Sequence, residues 1–198
     1  MIYNMRRKNV VLLNGSATCG KNTFVEQLSS IVKVEHWSTV DKYKDILKQF
    51  FPLEYNEEHK TDHIRQFLSE FKALSTKYFN DPYNETMKKI FEFFESPSDA
   101  EILFIDIREP EEIQKILNRF SNDEVVTLLI DNPNKECNMS NNSDANVFDF
   151  TYDWIVVNDG TIEDLKENAK IFYENLFPHY VLIMEEEIEG NEEDAPNI

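Results

Sequence analysis

Hydrophobic and polar positions along the chain follow two periods. Continuous apolar runs mark buried strands at residues 9–13, 101–107 and 125–130, with shorter ones at 34–37 and 154–157. Between them apolar residues recur every three or four positions, as on amphipathic helices. Phe24, Leu28, Ile31 and Val32 share one face of a helix from residue 21 to about 33. Ile46, Leu47 and Phe50 do so on a helix opened by Ser38, with Asp41 three residues on in a capping-box relation. Ile64, Phe67, Leu68, Phe71, Leu74 and Tyr78 line a long helix over 61–80. Asp81-Pro82 starts the next, with Met87, Ile90, Phe91 and Phe94 on one face, and Ser96-Pro97-Ser98 ends it. Pro110 opens a helix that turns Ile113, Ile116, Leu117 and Phe120 inward. Thr161 caps a last one carrying Ile162, Leu165, Ala169, Phe172 and Leu176. Residues 52–60 and 131–149 are polar and read as loops.

Five strands alternating with helices predict an α/β domain around a five-stranded parallel sheet. The expected domain spans residues 1–180, with an acidic tail at 181–198. The stretch from about 39 to 96, between the second and third strands, is unusually long and helical. It reads as a helical insert overhanging the carboxyl ends of the strands, where ligands of parallel sheets sit.

The first strand runs into Gly15-Ser16-Ala17-Thr18-Cys19-Gly20-Lys21-Asn22-Thr23, which has the spacing G-x-x-x-x-G-K. A chain can wrap its N–H groups around a phosphate only if it bends tightly, hence the glycines. The helix beginning at Lys21 aims unpaired N–H groups and its positive dipole end at the same anion. Lys21 adds a mobile charge for the outer phosphates. With four glycines in the chain, this spacing arises by chance about 0.6% of the time. The loop is therefore read as a nucleotide-phosphate site. Cys19 lies inside it, where loop N–H groups would lower its pKa and open it to oxidation; the alternative is a small tolerated side chain.

Composition narrows the partners. The net charge of −18 argues against extended contact with nucleic acid or anionic membrane. Seven acidic residues lie between Glu185 and Asp194, so the rest of the chain still carries −11. Basic residues inside a cleft of so acidic a protein weigh more than usual. No apolar stretch is long enough for a membrane span, and the run at 10–13 is too short for a signal sequence. Two cysteines do not suggest a disulfide framework, and a cytoplasmic location is expected. The oligomeric state is not legible.

The order of parts, strand, phosphate loop, helical insert, central strand and lid loop before the fifth strand, resembles the nucleoside monophosphate kinases of the P-loop group. The similarity is greatest to phage-type deoxynucleoside monophosphate kinases. It rests on Gly20-Lys21-Asn22-Thr23, on Asp106-Ile107-Arg108 at the end of the central strand, on the acidic helix start Glu109-Pro110-Glu111-Glu112-Ile113, and on Tyr152 to Thr161. The resemblance implies a three-layer P-loop NTPase fold with a substrate-binding insert and a lid loop at about 131–149. It implies ATP and magnesium as cofactors and phosphoryl transfer to a small phosphorylated acceptor, foremost a (deoxy)nucleoside monophosphate.

On that reading residues 15–23 hold the donor nucleotide, and Lys21, Asp106 and Arg108 are the catalytic set. Alternation puts Asp106 and Arg108 on one side of a strand end. Asp106 suits a magnesium-bound water, with Asn22 as the other metal candidate. Arg108 suits bidentate contact with a phosphate. Arg65, the insert's only arginine, is the natural acceptor anchor, and Asp41 a further candidate beside its capping role. His59 and His63 have an i, i+4 spacing that could bind metal, without a clear third ligand.

Two departures set the alternatives. Asn22 stands where a magnesium-ligating hydroxyl is usual, and the lid at 131–149 offers only Lys135, with Arg119 upstream as a possible substitute. These suit a nucleotide-binding sensor without turnover. Kinases of other small acceptors, such as dephospho-coenzyme A or phosphomevalonate, share the same arrangement.

Overall fold

The computed structural model describes residues 8–52, 61–135 and 146–176. The acidic tail, His59 and the middle of the lid loop lie outside the described residues. Five strands form one sheet: β1 (Asn9–Asn14), β2 (Val34–Ser38), β3 (Ile102–Asp106), β4 (Val125–Asp131) and β5 (Trp154–Val157). Their order is β2-β3-β1-β4-β5, and every pairing is parallel. The central three are buried on both faces, which is why their sequences are continuous apolar runs rather than alternating ones.

Six helices are described: α1 (Lys21–Ser29), α2 (Asp41–Phe50), α3 (Asp62–Phe79), α4 (Asp81–Glu95), α5 (Pro110–Leu117) and α6 (Ile162–Leu176). On one sheet face Phe24 and Leu28 of α1 pack with Phe172 and Leu165 of α6 against Val11, Leu13, Phe104 and Leu128. The Phe24 ring meets Phe104 and Phe172 edge-on. On the other face Ile90 and Phe93 of α4 and Ile113 and Ile116 of α5 cover Leu12, Leu103 and Ile105. The three layers are the α/β architecture expected from the sequence. The insert's α2 and α3 carry a small core of their own, Tyr43, Leu47, Ile64 and Leu68.

Several boundaries differ from the periodicity. α1 ends at Ser29 rather than near residue 33, because the hydroxyls of Ser29 and Ser30 bond back to the carbonyls of Glu26 and Gln27. Ile31, expected on its inner face, is consequently exposed. α2 begins at Asp41, and Ser38 belongs to β2. There the Asp41 carboxylate accepts from Ser38 N–H at 2.9 Å, so the pairing exists while the helix starts later. Phe50, Phe67, Leu74, Tyr78, Phe91 and Ile162, all expected inward, are exposed. Asn80, at φ 51°, ends α3 and caps the start of α4 in a single left-handed residue.

Candidate active site

β1 delivers the chain into the phosphate loop between β3 and β4, at the carboxyl ends of the strands. The loop curls through three positive-φ residues, Gly15 (147°), Thr18 (63°) and Gly20 (104°). A side chain at Gly15 would lie 2.5 Å from Ile130 O, and one at Gly20 would collide with the Asn158 amide. The glycines are required by space as well as by dihedral angle. Thr18 shares the conformation without that freedom, which no spacing rule anticipates.

Three side chains brace the loop. Asn14 Oδ1 accepts from Gly15 N–H at 2.8 Å, while its Nδ2 donates to Tyr152 Oη at 2.7 Å and to Arg108 O at 3.2 Å. Asn158, just past β5, donates from Nδ2 to Cys19 O at 2.8 Å. Lys21 Nζ reaches back over the loop to Gly15 O at 2.7 Å and Ser16 O at 3.0 Å. Asn22 and Thr23 stand in the first turn of α1, Asn22 exposed and Thr23 half-buried. Cys19 is fully buried, and burial pushes its thiol above the ordinary value despite Lys21 nearby. That corrects the expectation of a lowered pKa: the thiol turns inward, with Sγ close under Gly15, and the loop amides do not activate it.

Beside Lys21 opens a cavity of about 510 Å³. Its walls bring together Lys21, Asp106, Arg108 and Arg65, four residues assigned from widely separated parts of the sequence. Lys44, Lys72 and Lys77 add three more basic groups, against the carboxylates of Asp106, Glu109 and Glu112. A protein of net charge −18 thus places an excess of positive charge in one cleft. Asp41 does not line it; its carboxylate is engaged by Ser38 N–H and by Lys44 at 2.5 Å. His63 is exposed, and no group of three or more potential metal-ligating side chains occurs among the described residues.

Asp106 ends β3 with Oδ1 buried and without a hydrogen-bond partner; His36 Nε2 lies 3.3 Å away, within ion-pair range. An orphaned carboxylate oxygen beside a phosphate loop fits a magnesium-bound water, so the chemistry of Asp106 suits that ion. For Asn22 the structure offers exposure only. His36 was not foreseen. Strand alternation places it on the same face as Asp106, but only the β2–β3 pairing makes them neighbours.

A second unforeseen group is the buried Lys72 of α3. Its ammonium lies 2.5 Å from Glu109 Oε2 and 3.4 Å from Glu112 Oε2, at the start of α5. Burial pushes the Glu112 carboxyl up, and the neighbouring Glu109 charge adds to that, with Lys72 opposing. Burial acts the same way on Glu109, but Lys72 and local N–H groups outweigh it and hold that carboxyl low. Glu112 Oε2 accepts no hydrogen bond.

No family model matches the chain, and no curated protein matches it. In shape it is similar to a number of solved structures, three of which follow. The crystal structure of TT1252 from Thermus thermophilus shares 18% identity over 86% of this chain and 98% of that one, with a TM-score of 0.45. Shikimate kinase from Aquifex aeolicus shares 14% over 84% and 96%, with a TM-score of 0.43. The APS kinase CysC of Mycobacterium tuberculosis, in complex with AMPPNP and APS, shares 11% over 85% and 98%, at 0.42. Likenesses this distant carry nothing about the chemistry of the cleft.

The lid expectation needs one correction. α5 starts at the carboxyl end of β3 and runs back along the sheet, so Arg119, past its last turn, lies near the amino end of β4. It is exposed and remote from the phosphate loop. Lys115, one turn earlier, instead lines a second cavity of about 500 Å³ that shares Thr76, Arg108, Glu109 and Glu112 with the first and reaches Asn146 and Asp149 of the lid. No helix of the described residues is long and apolar enough to cross a membrane.

Proposed function

We propose that this chain is a P-loop kinase that moves the terminal phosphoryl group of ATP to a small phosphorylated acceptor, foremost a (deoxy)nucleoside monophosphate. The observation that carries the reading is the cleft: Lys21 shares one cavity with Arg65 and Arg108, in a protein that is otherwise strongly acidic. Loop N–H groups and the α1 N-terminus receive the donor phosphates. Lys21, now held by two loop carbonyls, exchanges them for phosphate oxygens. Arg65 and Arg108, which line the same cavity, grip the acceptor phosphate, and Arg108 neutralises charge as the transition state forms. Asp106 would hold magnesium through water, and the ion would supply neutralising charge for the phosphates. No covalent intermediate is needed; catalysis comes from positioning and charge.

Glu109 and Glu112 stand on the same cavity wall, and the more exposed Glu109 carboxylate suits a hydroxyl or amino donor on the acceptor. Such a group is present on nucleotides, and also on dephospho-coenzyme A and phosphomevalonate, which remain the neighbouring alternatives. The sensor reading draws on Asn22 at the magnesium position, on the single cation Lys135 in residues 131–149 and on the acidic tail. A coupled ATP-to-ADP assay with magnesium separates them. Wild type and Lys21→Ala would be run against ribo- and deoxynucleoside monophosphates, dephospho-coenzyme A and phosphomevalonate. Acceptor-dependent turnover lost in the variant is the expected result. ATP binding with no acceleration by any acceptor would sink the kinase reading.

A further inference from the structure

The outer face of α3 carries an apolar stripe that the insert's own core covers only in part, at Phe71, whose ring meets Tyr43 at 5.2 Å. Phe67, Phe71, Leu74 and Tyr78 follow one another at four- and three-residue steps, within a narrow sector of the helix. Phe67, Leu74 and Tyr78 are 37%, 55% and 66% exposed. The stripe extends at both ends: the Phe51 ring packs 6.4 Å from Phe67, and Phe79, 75% exposed, lies beside Tyr78. Arg65, Leu68, Lys72 and Thr76, on the opposite side of the helix, face the cavity.

We propose that this stripe is the interface of a two-fold dimer, α3 packing antiparallel on α3 of a second copy. Three observations select a second copy as the occupant. The exposed apolar area is on the order of 500 Å², about the non-polar share of one side of a standard interface. The stripe itself carries no charge, whereas the rest of an acidic surface repels its own kind. Glu70 and Lys77 flank the stripe on the same side, seven residues apart, with Lys77 at the edge where α3 turns towards the cavity. An antiparallel two-fold axis near Leu74 brings Glu70 of each copy to Lys77 of the other. That register also seats Phe71 between Leu74 and Tyr78 of the second copy and Phe67 beside its Phe79. Glu70 accepts a hydrogen bond from Gln66 at 2.8 Å and Lys77 sits over the Tyr78 ring, so both charges are held at the flank.

Dimerisation would brace the helix whose inner side presents Arg65 and Lys72, but the proposal stands whether or not the chain is a kinase. Sedimentation equilibrium of the full chain over about 1–100 µM tests it directly. Wild type is expected to sediment as a dimer, and Leu74→Glu, which sets two carboxylates at the axis, as a folded monomer by circular dichroism. Tyr78→Glu serves the same purpose should Leu74→Glu fail to fold. Glu70→Lys weakens the dimer about tenfold, and Glu70→Lys combined with Lys77→Glu restores it. A monomeric wild type, its stripe left to residues 53–60 or to another protein, overturns the proposal. So does a dimer indifferent to both glutamate variants. Failure of the charge swap to restore association rules out the antiparallel register.

Discussion

Asn14 donates to the hydroxyl of Tyr152 at 2.7 Å, and through that single buried contact the start of the phosphate loop is tied to the far end of the lid. The same hydroxyl donates to Val147 O at 2.8 Å, and the same amide reaches Arg108 O. Three segments that the proposed chemistry needs in register, the loop, the Arg108 turn and the lid's return, meet at one asparagine.

Removing the hydroxyl tests that junction. Tyr152→Phe leaves Val147 O without its donor and Asn14 Nδ2 with only the longer bond to Arg108 O. Burial pushes the Tyr152 phenol up to about 12, so the hydroxyl stays protonated across the physiological range and its loss is one neutral hydrogen-bond pair. The expected cost is about 1–2 kcal/mol by urea denaturation, with weakened nucleotide binding. A variant as stable as wild type would show that the junction is ornamental.

Gly20 sets a sharper test of the loop. Its φ of 104° and its approach to the Asn158 amide leave no room for a methyl group. Gly20→Ala must therefore unwind the loop or expel Asn158 from Cys19 O. The expected outcome is loss of ATP binding by calorimetry while the fold, whose cores lie below the loop, survives. Combining it with Asn158→Ala should recover part of the affinity if the collision dominates, and none if the dihedral angle does.

The sheet and the loop were legible because their signals are local: an apolar run and a glycine spacing need no knowledge of neighbours. The faces of α3 were not. Periodicity correctly grouped Ile64, Phe67, Leu68, Phe71, Leu74 and Tyr78, yet only Ile64 and Leu68 among them are buried, because which sector meets α2 is a tertiary choice. Lys72 was missed for a related reason. A lysine in a helix reads as solvated, and its partner Glu109 lies 37 residues away. Asp106 and Arg108 could be placed at a strand end, but His36 beside Asp106 required the β2–β3 neighbourhood, which no single strand encodes.

Cys19 makes a prediction opposite to the one its loop position suggests. With the thiol fully buried and its pKa raised by that burial, thiolate is scarce at neutral pH. Iodoacetamide at pH 7.5 should leave the Cys19 peptide unmodified in the native protein by mass spectrometry and label it fully in urea. Brisk native labelling would mean that the loop opens far more often than its bracing by Asn14 and Asn158 implies.

The Lys72 cluster predicts a pH dependence whose sign follows from two opposed carboxyls. Glu112 has its folded pKa raised above 4.5, so relative to an uncharged side chain it favours folding only while protonated. Stability tied to Glu112 is present below about 4.5 and is lost as pH rises through the raised value. Glu109 is lowered, and its contribution is present above 4.5 and lost as pH falls through the folded value. Glu112→Gln keeps the Lys72–Glu109 pair and removes the carboxylate that burial opposes. The variant should therefore melt above wild type at pH 7–8, and the gap should close as pH approaches 4.5. Glu109→Gln should do the reverse, melting below wild type at neutral pH. Lys72→Met, which strands two carboxylates in the cavity wall, should cost about 3–5 kcal/mol. A Glu112→Gln variant less stable than wild type at pH 8 would mean that Lys72 needs both carboxylates. The raised Glu112 would then be a paired ion rather than a poised acid.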